Sequence, residues 1–161
     1  MQNIDLICIG KLSTSFYAAG VAEYQKRLAA FCNFRIIELP EVAVDERHAG
    51  DAQIAKALDK EAKAILGSLR KGEYLAALCI EGKQISSKEL AAMIADRAMS
   101  GSGDMAFVIG SSHGLSDSVK RAAQAKISMG RITMPHQMAR LVLTEQLYRA
   151  FSINAGMKYH K

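Results

Sequence analysis

The sequence predicts an α/β fold, a parallel sheet covered by helices on both faces. Three observations carry this. Short runs that are apolar along their whole length recur through the chain, and such runs suit strands buried on both sides. They alternate with longer segments whose apolar residues return at helical spacing. The chain has 161 residues, half of them hydrophobic, which fits a single domain over 1–161 with a substantial core.

Ile4–Gly10 (IDLICIG) is the first strand, closed by glycine. Ser13 or Thr14 can cap a helix running through Phe31, with Phe16, Ala19, Val21, Tyr24 and Leu28 at apolar positions. Arg35–Leu39 is a second strand, stopped by Pro40, and residues 41–50 are polar and irregular. Asp51 to about Leu69 repeats Ile54, Leu58, Ala62, Ile65 and Leu69 at helical spacing. Tyr74–Ile80 is a third strand. Ser86 or Ser87 caps a helix reaching about Met99, and Glu89 in its first turn suits the helix dipole. Met105–Gly110 is a fourth strand, and Ser116–Ala125 a short helix. Lys126–Ser128 and Ile132–Met134 are expected as short extended pieces around Gly130, before a long helix over His136–Ala155.

Lys plus Arg exceed Asp plus Glu by 21 to 16, a formal charge of +5. This fits a polyanionic partner and a merely soluble surface equally well. Cys8, Cys32 and Cys79 are odd in number and show no C-x-x-C spacing, which argues against a disulfide framework and a zinc site. Cys8 and Cys79 fall in apolar runs, where a thiol acts as a small buried hydrophobe. His48 and His113 have no companion at metal spacing, so no metal is expected. The first ten residues carry Asp5 and no basic region, unlike a signal peptide, and no stretch is long enough to span a membrane. A cytoplasmic protein is expected.

In parallel α/β sheets, ligands bind beyond the carboxyl ends of the strands. The loops after Gly10, Ile80, Gly110 and Ser128 are therefore where chemistry belongs. Gly110-Ser111-Ser112-His113-Gly114 follows a strand and precedes a helix. It also fits G-x-S-x-G, which would make Ser112 the nucleophile of a serine hydrolase. A plain strand–helix turn explains it as well, and the acid such a triad needs is missing from a later strand. Ser128–Gln137 interrupts two apolar pieces with Gly130 and ends them at Pro135, which exposes backbone groups suited to a nucleotide-like ligand. An ordinary loop would look the same.

The last helix carries Met138, Leu141, Val142, Leu143, Leu147, Tyr148, Phe151 and Ile153 all around it. Such a helix is covered on several sides, which suggests packing on its own sheet and against a second copy in a homodimer. Glu145 and Arg149, four apart, can pair. The tail Gly156–Lys161 holds Lys158, Tyr159, His160 and Lys161, a set suited to stacking and phosphate contact on RNA, or to a solvated stub.

IGSSHGL after the fourth strand, RITMPHQMARLVLTEQLYRAF, and the terminal KYHK resemble the ribosomal RNA large subunit methyltransferase H family of the SPOUT superfamily. LICIGKL and LCIEGKQISSKELA are similar to it too, so the resemblance spans the chain. It implies a homodimer with a C-terminal trefoil knot. It implies S-adenosylmethionine as methyl donor, without a metal, and N3 of a pseudouridine in 23S rRNA as acceptor, at the ribosomal subunit interface. By position, the donor would touch Leu78, Gly110 and the run Met129, Gly130, Arg131, Ile132, Thr133 and Met134. The family usually has Gly-Gly where this chain has Gly110-Ser111. For catalysis the candidates are His160 as base, Arg149 to steady the anionic ring or bind phosphate, and Tyr159 to stack on the base. Arg140 and Lys158 are expected as phosphate contacts. A non-enzymatic RNA-binding module remains an alternative class.

Overall fold

Along the first strand, β1 (Asn3–Ile9), the side chains Ile4, Leu6 and Cys8 join one apolar cluster and Ile7 and Ile9 join another. This alternation buries both faces of the strand, as a central parallel strand requires. The computed structural model describes Met1–Lys161. After β1 come α1 (Ser15–Leu28), β2 (Asn33–Leu39), α2 (Asp51–Ser68), β3 (Tyr74–Gln84) and α3 (Ser87–Met99). Then follow β4 (Met105–Ile109), α4 (Asp117–Ala122), β5 (Ala125–Ser128) and α5 (His136–Asn154).

The five strands form one sheet in the order β2-β1-β4-β3-β5, and every pairing is parallel. On one face, Leu28 of α1, Leu90 and Ile94 of α3, and Leu143 and Leu147 of α5 pack on Leu6, Phe107 and Ala76. On the other, Ala62 and Ile65 of α2 and Val119 of α4 cover Ile7, Val108 and Leu75. Helices thus cover both faces, as the sequence predicts.

α5 lies between α1 and α3. Gly20 of α1 admits this approach, since a Cβ there would stand 2.8 Å from Leu141 Cδ1. Much of the helix's all-round apolar surface is therefore covered by its own chain. Gln137 of α5 also completes the start of α1. Its Oε1 accepts from Ser13 N and Thr14 N, both at 3.2 Å, and its Nε2 donates to Ser13 Oγ at 2.9 Å. Thr14 occupies the cap position but makes no side-chain cap. Ser86, by contrast, forms the full capping box with Glu89.

Three local expectations are corrected. Ile132–Met134 is not extended into a strand: β5 ends at Ser128 and Gly130 turns the chain at φ +123°. α4 stops at Ala122, and Ala125 already belongs to β5. β3 continues past Ile80 to Gln84, where Lys83 and Gln84 pair with Ile127 and Ser128 after a break in register. Gly82 makes this possible, because a Cβ there would lie 2.7 Å from the Ile127 backbone.

Candidate functional site

At the carboxyl ends of β4 and β5 the following loops converge, against the Leu78–Glu81 stretch of β3, on a cleft of about 450 Å³. Its floor is apolar, with Leu78, Ile109 and Ile127. One wall is the loop after β4. A Cβ on Gly110 would meet the Gly114 carbonyl oxygen at 2.3 Å, so only glycine fits that turn. Gly114 has φ +85°, and its N–H donates to the Ser111 carbonyl at 2.8 Å. The opposite wall is the loop after β5. Buried Ser128 pins it: Oγ accepts from Gly130 N at 3.2 Å and donates to Gly130 O at 3.0 Å.

Seven of the eight residues expected to touch a donor line this cleft. Leu78 lies at the floor, Gly110 in the first wall, and Met129, Gly130, Ile132, Thr133 and Met134 in the second. Arg131 is exposed and does not line it. Ile132 is 86% exposed and forms the rim. Cys79, Glu81 and Lys120, which no motif in the sequence singles out as site residues, also line the cleft. Lys120 Nζ stands 2.5 Å from Glu81 Oε1 across the mouth. The hydrogen bond from Lys120 holds the Glu81 carboxyl below its ordinary range, and Glu81 in turn raises the lysine. The position of Glu81, directly after the apolar run Tyr74–Ile80, is the signal in the sequence that points to it. Cys79 is only half-buried, and burial raises its thiol.

The catalytic candidates form a second group. Gly156, at φ +69°, ends α5 and turns the tail back along it. The Arg149 guanidinium is 4.9 Å from the centroid of the Tyr159 ring and 3.5 Å from His160 Nδ1. It pairs with Glu145, the ion pair that the sequence spacing suggests. Tyr159 OH donates to Glu145 Oε1 at 3.0 Å and lies 3.3 Å from Tyr24 OH. Burial, then its bonds to Tyr24 and Glu145, push the Tyr159 hydroxyl well above the usual phenol range, so it is no base. The tail is thus docked rather than a solvated stub, with Tyr159 and His160 partly covered.

Within one chain the two groups stand apart. His136 and Ala139 border the cleft at the start of α5, while Arg149 lies ten residues beyond Ala139, about 15 Å along the axis. Two other candidates are settled by geometry. Ser112 is exposed and hydrogen-bonds no histidine or acid, so there is no hydrolase triad. Arg140 is no phosphate contact: it is 1% exposed and bound to Glu38 and to the Gly10 carbonyl. No group of three or more His, Cys, Asp or Glu side chains is placed to hold a metal ion. No helix is long and apolar enough to cross a membrane.

A family model described as a predicted SPOUT methyltransferase matches residues 2–160. The chain belongs to the SPOUT methyltransferase family. Among its relatives in this family are proteins named ribosomal RNA large subunit methyltransferase H from Pediococcus pentosaceus and Streptococcus uberis. Each is 48% identical over 160 residues, covering 99% of this chain and all of the relative. The one from Ligilactobacillus salivarius is 46% identical over the same span. Of solved structures, a probable methyltransferase from Bordetella pertussis matches with TM-score 0.59 at 15% identity, over 92% of this chain and 93% of that one. A probable methylase family protein from Haemophilus influenzae matches with TM-score 0.51 at 16% identity, over 99% and 70%. These two likenesses bear on the fold alone.

Proposed function

We propose that this protein is an S-adenosylmethionine-dependent methyltransferase of 23S rRNA, methylating N3 of a pseudouridine at the ribosomal subunit interface in the cytoplasm. It acts as one domain over 1–161, with a C-terminal trefoil knot, and as a homodimer through α5. The observation that carries the reading is the full-length, 48% likeness to relatives named for large-subunit rRNA methylation. The cleft supports it.

The cleft suits the donor by size and chemistry. Its volume lies within the few hundred Å³ typical of small-molecule sites. Leu78, Ile109 and Ile127 offer an apolar bed for a nucleobase, and the two glycine turns bring backbone close on either side of it. The bound donor supplies a methyl group already activated on a sulfonium, so no metal is required. The protein's own task is alignment and proton removal. His160 takes the proton from N3, Arg149 steadies the anionic ring, and Tyr159 stacks on the base. Lys158 is a phosphate contact.

The separation of about 15 Å along α5 between the cleft border at Ala139 and Arg149 is one that a dimer would bridge. A two-fold pair sets one protomer's tail over its partner's cleft. The exposed apolar side chains Phe16, Ile132 and Met138, at the cleft end of α5, supply surface for such a contact. The test mixes two inactive variants, Gly110→Trp and Arg149→Ala, and assays methyl transfer to ribosomes. Random reassortment restores about a quarter of wild-type activity if each site draws on both chains. A mixture that stays dead, although the subunits exchange, rejects the shared site.

A further inference from the structure

Glu61 of α2 is 3% exposed and has no cation within ion-pair distance. Its Oε1 accepts from Ser111 Oγ at 3.1 Å, and its Oε2 accepts from Val42 N at 2.9 Å. A buried carboxylate without a cation is costly, and two neutral donors recover only part of its lost hydration. Three segments distant in sequence meet at this one side chain: the chain after β2, the buried face of α2, and the glycine turn after β4. Ser111 is itself buried, and its carbonyl holds Gly114.

From this geometry we infer that Glu61 is a positioning residue for the methyl-donor site: through the Ser111 hydroxyl it fixes the Gly110–Gly114 turn, and through Val42 it ties that turn to the segment after β2. The inference rests on reading the cleft as the donor site. Gly114 folds back so closely on Gly110 that no side chain fits there, and its N–H rests on the Ser111 carbonyl, so a shift at Ser111 displaces the wall of the cleft directly. Glu61 touches neither donor nor RNA, so its effect is on how well the wall is formed before the donor arrives.

The experiment compares wild type with Ser111→Ala, Glu61→Gln and the double variant. Ser111→Ala removes one hydroxyl and leaves the fold intact if Glu61→Gln proves unstable. Calorimetric titration with S-adenosylmethionine is expected to show about tenfold weaker binding for each single variant, and the double no worse than the weaker single. KM for the donor rises while kcat at saturation and ribosome affinity hold. Amide hydrogen exchange is expected to quicken over residues 110–115 in both variants. Lowered melting with unchanged donor affinity and unchanged exchange in that loop would make Glu61 merely structural and overturn the inference. Should wild type itself fail to bind the donor, the cleft reading falls; the exchange arm then decides alone whether Glu61 holds the turn.

Discussion

Arg140 Nη1 lies 2.6 Å from Glu38 Oε2, and the same guanidinium donates to the Gly10 carbonyl at 3.1 Å. One side chain of α5 thereby closes the carboxyl ends of β1 and β2. Arg140→Ala leaves the Gly10 carbonyl without this bond and opens a void under the helix. The expected cost is about 2–4 kcal/mol, read as a lower urea midpoint at unchanged slope. Because the residue is buried, Arg140→Lys is expected to leave the salt dependence of RNA binding unchanged. Lys158→Ala, in the exposed tail, should lower that slope by about one. Equal slopes for the two variants contradict the assignment.

Gly82→Ala probes the extension of β3. The added methyl falls 2.7 Å from the Ile127 backbone, which cannot yield without moving β5. A loss of about 1–3 kcal/mol is expected, together with weaker donor binding, since Ile127 and Ser128 floor and pin the cleft. Gly67→Ala is the control, with nothing within 4 Å of its Cβ, and should be neutral or mildly stabilising.

The thiols give a pH prediction with a definite sign. Burial pushes Cys8 and Cys32 up to about 12 from an ordinary 9.0. The folded state therefore keeps both protons where the unfolded chain has released them. Stability carried by the neutral thiols is complete below pH 9 and declines as pH rises from 9 towards 12. Cys8→Ser and Cys32→Ser each flatten that alkaline decline. At pH 8, iodoacetamide is expected to label only Cys79, more slowly than free cysteine, and bound donor should slow it further. Labelling of Cys8 in the native protein contradicts its burial.

Ser112→Ala is expected to retain methyl transfer within about twofold, and the wild type to resist serine-reactive fluorophosphonates, because no base stands beside the hydroxyl. Stoichiometric labelling at Ser112 would revive the hydrolase.

The elements were legible where burial is set by the strand itself. YLAAL and MAFVI are apolar on both faces, IDLIC is so but for Asp5, and both faces are indeed covered. β3 was cut short because Glu81, Gly82, Lys83 and Gln84 read as a polar stop. Their extension comes from a neighbouring strand, β5, that lies 40 residues away in sequence and leaves no local trace. Ile132–Met134 differs the other way: two β-branched residues and a methionine suit a strand, yet the segment pairs with none. The cleft residues could be placed because they sit in glycine turns at strand ends. Glu61 could not, since an acidic residue in an amphipathic helix looks solvated until its contact to Ser111 is known. Arg140 misled for the same reason, a long cation whose burial depends on Glu38.

The order of the sheet also dictates how the chain is made. β1 needs β4 as neighbour, and Ile4 pairs opposite Met105. At roughly 5–20 residues per second, synthesis leaves an interval of about 5–20 s between these two residues. Throughout it, one edge of an almost wholly apolar strand stays open, closed on the other side by β2 alone. The β4-facing edge of β1 is thus open to edge-to-edge association for most of the chain's translation.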